Sequence, residues 1–195
     1  MPTCKTYKPP RSHHSINKGC CYLKFDHYCD IFDICIGFHN YKAFYQFLII
    51  NLISTAYFIT FVGRDLFAGT TRQNVRKANY IISLSLFFIM GLVNGYFFVF
   101  HTWLISNNET TVEYRAINAY LRGDYSYSHV FQEGPIKVYS TSRDRKTLNP
   151  YNLGLKSNWI EVFGRSAFEW FSPKLSSLGK RDLLQGQMKA YDKRG

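Results

Sequence analysis

Two uncharged apolar runs constrain this chain more than any other feature. Ala43 to Val62 reads AFYQFLIINLISTAYFITFV, and Ile81 to Phe100 reads IISLSLFFIMGLVNGYFFVF. Each holds about 20 residues, enough as a helix to cross the roughly 30 Å hydrocarbon layer of a bilayer. Phe44 and Tyr45, then Tyr80, then Trp103 crowd the ends of the runs, as an interfacial belt requires. Core helices of soluble proteins are usually shorter and carry a polar stripe. The first run begins after a long polar stretch, so no cleavable signal peptide is expected. The sequence therefore predicts an α-helical integral membrane protein with two transmembrane helices. A small Cys/His-rich domain at 1–42 precedes a span at 43–62, a loop at 63–77 and a second span at 78–105. A mixed tail of loops and short helices fills 106–195.

Charge sets the orientation and removes one class of function. The formal net charge is +11, from 24 Lys and Arg against 13 Asp and Glu. Most of the positive residues lie in the two ends, so the positive-inside rule places both termini in the cytosol and the loop in the lumen or outside the cell. The loop itself carries Arg64, Arg72, Arg76 and Lys77, which weighs the other way. With this topology the sequon Asn108-Glu109-Thr110 is cytosolic and carries no glycan. Nucleic-acid binding is not expected, because the positive residues are dispersed and two apolar spans have no place in such a module.

All five cysteines fall early: Cys4, Cys20, Cys21, Cys29 and Cys35, with His13, His14 and His27 among them. So few, in odd number and facing a reducing compartment, argue for metal binding or thiol chemistry rather than a disulfide scaffold. The string Asp26-His27-Tyr28-Cys29 singles itself out. A thiol attacks as its thiolate, which needs a neighbouring base or cation. His27 is placed to act as that base, and Asp26 to hold the imidazole in the right tautomer. Alone, the same string also suits a surface loop or a set of metal ligands. A soluble cysteine protease is excluded by the apolar runs.

The surroundings narrow the choice. The spacings C-x9-H (Cys4 to His14), C-x4-D-H-x-C (Cys21 to Cys29), C-x5-C (Cys29 to Cys35), C-x4-N (Asn40) and N-x3-F (Phe44) occur in order. A basic K-P-P-R-S occupies 8–12. Thr110-Thr111-Val112-Glu113 follows the second span, and Asn149-Pro-Tyr151-Asn-Leu-Gly154, Asn158-Trp159 and Val162-Phe163-Gly164 follow later. Over residues 4–164 this resembles the DHHC family of protein S-acyltransferases, with its cysteine-rich domain, its TTxE motif and its C-terminal aromatic motif.

The resemblance implies transfer of palmitate from palmitoyl-CoA to cysteines of membrane-associated proteins. Cys29 would carry the acyl group, His27 would act as base and Asp26 would orient it. Lys8, Arg11 and Lys24 are candidates for the CoA phosphates, and a solvated basic face is the plainer reading of each. Asn40, Thr111 and Asn149 would brace the reactive segment. The acyl chain would lie among the spans of a bilayer protein, in an endomembrane or the plasma membrane. The family also holds two zinc ions. Carried over by position, one site is Met1, Cys4, His14 and Cys21, with Cys20 as a substitute for Met1. The other is Ser15, Lys18, Tyr28 and Cys35, which keeps one thiol and is expected to hold no zinc. Two further differences matter. The family has four or more spans, and the two upstream ones are not in this sequence. Asp30 and Ile31 replace a Pro-Trp pair, and a carboxylate beside Cys29 works against the thiolate. A non-catalytic scaffold for a full-length acyltransferase is the alternative.

Overall fold

The computed structural model describes residues 9–68, 74–127, 130, 145–174 and 176. The chain forms two compact units, one made of residues 44–102 and the other of the two ends, 1–43 and 103–195.

The first unit is a helical hairpin. Helix α1 spans Tyr41–Phe67 and α2 spans Asn74–Asn107, and both reach well past their apolar runs. Nothing in Gly63, Arg64 or Asp65 stops a helix, so α1 continues through them. The hairpin is antiparallel, because partners descend along α2 as they climb along α1. Tyr45 Oη and Thr102 Oγ1 share a hydrogen bond of 2.8 Å. Asn94 Nδ2 donates to the Leu48 carbonyl at 3.0 Å. Gly91 lets Thr55 approach, since a Cβ there would sit 3.1 Å from its methyl. Phe58 stacks on Phe87 at 3.9 Å. Small and polar residues thus line the seam, as they do between helices in lipid. The other faces carry Ile50, Ile53, Ile82, Leu86, Phe88, Ile89 and Leu92, each more than half exposed. Only 11% of the apolar window of α1 and 6% of that of α2 is buried. Core helices would be covered; these are not, and a lipid environment satisfies them.

The second unit opens with two antiparallel β-hairpins. β1 (His13–Ser15) pairs with β2 (Cys20–Tyr22), and β3 (His27–Cys29) with β4 (Ile34–Ile36). In the second, His27 lies opposite Ile36, Tyr28 opposite Cys35 and Cys29 opposite Ile34. Phe25 N donates to the Arg11 carbonyl and Phe38 N to the Leu23 carbonyl, which tie the hairpins together. Gly37 has to be glycine at this crossing, because a Cβ would lie 2.9 Å from the Leu23 oxygen.

Beyond Trp103 come α3 (Thr111–Leu121), α4 (Arg145–Leu148), α5 (Leu155–Phe163) and α6 (Ala167–Phe171). The start of α3 is written in T-T-V-E: Thr110 caps the Glu113 amide, and the Glu113 carboxylate takes the Thr110 amide back. Ala116, Ile117 and Leu148 form a small apolar core between α3 and α4. Arg145 pairs with Glu109 at 2.7 Å and lies over the Trp103 ring at 4.5 Å. Lys42 is buried, and its ammonium donates to the carbonyls of Phe163, Glu169 and Lys174 at the ends of α5 and α6. Gly164 adopts φ +89°, and a side chain there would strike the Glu169 carboxylate.

Candidate active site

Strand β3 presents the last three residues of the Asp26-His27-Tyr28-Cys29 string. Successive strand residues point to opposite faces, so His27 and Cys29 share one face and Tyr28 the other. Cys29 is buried and unoxidised. Asp26, one residue before the strand, is 1% exposed. Its Oδ2 lies 2.7 Å from His27 Nδ1. A carboxylate only accepts, so Nδ1 carries the proton and donates, which leaves the basic lone pair on Nε2.

Asp26 is held in turn by the first residue of α3. Thr111 N donates to Asp26 Oδ1 at 2.7 Å, and Thr111 Oγ1 donates to Oδ2 at 2.8 Å. A helix N-terminus offers unpaired amides and a positive dipole end, both of which favour the carboxylate. The capping box therefore serves two ends: Thr110 and Glu113 start the helix, and Thr111 fixes the carboxylate that fixes the imidazole.

A buried charge cluster lies behind this contact. Arg11 meets Glu113 through two bonds of 2.7 Å and Asn108 through bonds of 3.0 and 2.9 Å. Its guanidinium sits 4.3 Å from the Tyr151 ring centre. Lys24 donates to Glu161 at 2.8 Å and to Asn108 Oδ1 at 3.0 Å. Asn108 Nδ2 donates to the Tyr151 carbonyl at 2.9 Å and to Glu161 at 2.7 Å. Burial alone would push Glu113 up, but the Arg11 charge and hydrogen bonds outweigh it and hold the carboxyl below its usual range. Glu161 behaves likewise, with burial opposed by Lys24 and Arg11. Burial and the nearby Arg11 pull Lys24 down. Arg11, Lys24 and Asn108 all have positive φ, at 65°, 43° and 50°. Asn tolerates that region, but long side chains such as those of Arg11 and Lys24 seldom adopt it, and their strain marks a cluster that the surrounding structure enforces.

Arg11 and Lys24 thus face carboxylates of their own chain, not solvent or an open anion site. Lys8 lies outside the described residues. Sequence reasoning passed over Asn108, Glu161 and Lys42. Asn108 drew notice only as a sequon, and its buried amide, donating twice, leaves no room for a glycan. The bracing residues are placed as follows. Asn40 accepts from Gly37 N and donates to the Cys35 carbonyl, each at 2.9 Å, which closes the turn after β4. Asn149 donates to the Asn107 carbonyl at 2.7 Å and accepts from Tyr151 N at 3.0 Å. Asn158 donates to the Ser106 carbonyl at 2.7 Å. The N-P-Y-N and N-W motifs therefore bind the last turn of α2 from Ser106 onward.

The two positional zinc sites differ in fitness. His14 and Cys21 are cross-strand partners, with Nδ1 and Sγ 3.8 Å apart. Tetrahedral zinc ligands of these types stand about 3.6 Å apart, so the spacing suits a metal. The Cys21 sulfur is, however, in a disulfide, contrary to the expectation of reduced thiols, and it would ligate only once reduced. Cys4 lies outside the described residues. At the second set of positions, Cys35 Sγ donates to Ser15 Oγ at 3.1 Å and Lys18 pairs with Asp33 at 3.0 Å. Ser15, Lys18 and Tyr28 offer a hydroxyl, an ammonium and a phenol, which leaves Cys35 as the one zinc-type ligand, and that set does not fit.

Comparison with known proteins gives the family. The DHHC palmitoyltransferase model matches residues 1–118. The chain is 32% identical over 177 residues to palmitoyltransferase PFA3 of Candida albicans, across 87% of this chain and 45% of that protein. It is 33% identical over 180 residues to palmitoyltransferase ZDHHC15 of Xenopus laevis, across 91% and 47%. It is 30% identical over 190 residues to probable protein S-acyltransferase 13 of Arabidopsis thaliana, across 92% and 53%. The chain spans about half the length of the curated relatives it matches. An Asp-His pair anchored on a capped helix, a cysteine on the same strand face and a model match over most of the chain agree: this chain belongs to the membrane-bound DHHC palmitoyltransferase family.

Proposed function

We propose that this chain is a protein S-acyltransferase that moves palmitate from palmitoyl-CoA to cysteines of membrane-associated proteins through Cys29. The observation that carries the proposal is the bond of 2.7 Å from His27 Nδ1 to a carboxylate itself held by Thr111. That bond sets the tautomer in which Nε2 takes the thiol proton. The Cys29 thiolate attacks the thioester carbonyl, a new S–C bond forms, and the bond to the CoA sulfur breaks. The imidazolium returns its proton to the departing CoA thiolate. In the second half, His27 removes the proton of a substrate cysteine, that sulfur takes the acyl carbon, and Cys29 regains its proton. The chemistry is covalent and ping-pong.

With Cys21 reduced from the disulfide it holds in this structure, His14 and Cys21, together with Cys4, are the residues that would hold one zinc, which would supply rigidity to the cysteine-rich domain rather than a reacting group. Arg11 and Lys24 act by holding β-hairpin and tail together, and their charges are neutralised before any CoA arrives. Both termini face the cytosol, where acyl-CoA and substrate cysteines are found. The membrane is an endomembrane or the plasma membrane.

The test is labelling of the full chain in membranes with an alkynyl fatty acyl-CoA. Hydroxylamine-sensitive label on Cys29, absent in Cys29→Ser and reduced in His27→Ala, is the expected result. Correctly inserted protein that carries no label at Cys29 sinks the proposal and leaves the scaffold role.

A further inference from the structure

Five side chains gather behind β3, on the side opposite His27 and Cys29. Tyr28 lies between His27 and Cys29 but points to the opposite face, the same face as its cross-strand partner Cys35. There Tyr28 Oη donates to Asp33 Oδ1. Asp33 Oδ2 takes the Lys18 ammonium at 3.0 Å. Lys18 also lies 5.8 Å from the centre of the Tyr28 ring. Beneath them Cys35, buried, donates to Ser15, buried, at 3.1 Å. Ser15 and Lys18 belong to the first hairpin; Tyr28, Asp33 and Cys35 belong to the second. Each contact therefore crosses from one hairpin to the other, or closes the turn that makes the crossing possible.

We propose that Ser15, Lys18, Tyr28, Asp33 and Cys35 form a metal-free clamp that fastens the two hairpins and positions the strand face bearing His27 and Cys29, with Asp33 as its central positioning residue. The four positions where a tetrahedral site would be built hold a hydroxyl, an ammonium, a phenol and a thiol. Those groups suit hydrogen bonding to one another and to a carboxylate. Asp33 supplies that carboxylate from a turn position at φ +52°, a region Asp tolerates better than most residues. The directions of titration agree. The hydrogen bond to Asp33 raises Tyr28, and the bonds from Tyr28 and Lys18 lower Asp33. The clamp also gives Tyr28 a reason to stand where it does, as the residue that reaches Asp33. The claim for Cys29 geometry rests on Cys29 being the reactive thiol; the claim for the clamp does not.

The test uses the purified full chain in lipid nanodiscs and needs no acyl-CoA. Metal analysis should find no more than one zinc per chain. That count should stay unchanged in Cys35→Ser, Asp33→Ala and Asp33→Asn. The rate of Cys29 alkylation by iodoacetamide, read by peptide mass spectrometry, should change by about 3- to 10-fold in Asp33→Ala, the ordinary worth of a hydrogen bond. Asp33→Glu should restore it to within about twofold, since it keeps the charge and the acceptors. Raising salt should shift the wild-type rate but not that of Asp33→Asn, because Asp33 is largely exposed and its pair with Lys18 is screened. A second zinc that disappears in Cys35→Ser overturns the clamp. So does an alkylation rate that is the same in wild type and Asp33→Ala. Should wild type alkylate normally but never accept acyl, the acyltransferase reading falls, and these measurements still decide the clamp.

Discussion

The two units of this molecule are built on opposite plans. In the hairpin of residues 44–102 the apolar side chains point outward and polar ones, such as Asn94 and Thr55, are buried. In the unit formed by the chain ends, a small apolar core around Ile36, Leu104, Ile117 and Leu148 shares the interior with Asp26, Asn108, Glu109, Glu113, Asn149 and Asn158. The hairpin needs a solvent of lipid and little directional bonding. The other unit has too little apolar area to rely on and is instead held by hydrogen bonds that each require one partner. The Asp26–His27 pair sits in the second kind of structure, where the proposed acid–base role finds the fixed geometry that burial alone does not provide.

That contrast can be broken most severely at Asp26. Asp26→Asn keeps the shape but offers Nδ1 an amide in place of an anion, and acyl transfer to Cys29 should fall by about 10²- to 10⁴-fold in a labelling time course. Thr111→Val, which removes one of two bonds to Asp26, should cost only about 5- to 10-fold. Next comes the charge cluster. Glu113→Ala leaves Arg11 buried without its anion and should destabilise the polar unit by about 3–5 kcal/mol. Tryptophan fluorescence reads this unit selectively, because all three tryptophans, Trp103, Trp159 and Trp170, lie in it.

Acid should separate the two plans in a single sample. Glu113 and Glu161 titrate below the ordinary value of 4.5 in the folded chain. Their contribution is therefore present above that pH and is lost as pH falls through the lowered folded values. Tryptophan emission should shift in that window while the helical signal of the hairpin persists. A hairpin that melts together with the polar unit would contradict the separation. Within the hairpin, Asn94→Leu should cost about 1 kcal/mol through the lost bond to Leu48. The smallest effect belongs to the lipid-facing surface: Ile53→Leu should stay within about 0.5 kcal/mol by thermal circular dichroism in the same nanodiscs.

Much of the site is legible along the chain. The string Asp26-His27-Tyr28-Cys29 occupies neighbouring positions, so the sequence alone brings His27 near Cys29; that the two share a strand face comes from the structure. The resemblance names Thr111 as a brace of the segment holding Asp26, though no local signal gives the bond to Asp26 itself, 85 residues away, or the capping box. Arg11 and Lys24 are where the reading stops. A basic residue in a basic segment looks solvated or poised for phosphate, and its real partners, Glu113 and Glu161, are 102 and 137 residues distant. No local signal marks such a pair. The small β-hairpins are also hard to see, because strands of three residues carry too few alternations to register.

What the sequence determined by itself is what depends on near neighbours: two lipid-length helices and the order of Asp26, His27 and Cys29. Such features are local and need nothing from elsewhere. What only the tertiary structure decided is which charges meet. Thr111 on Asp26, Glu113 on Arg11, Glu161 on Lys24 and Asp33 on Lys18 each join residues from different elements. An ion pair or hydrogen bond acts over about 3 Å. Which groups come that close is settled by how the elements pack.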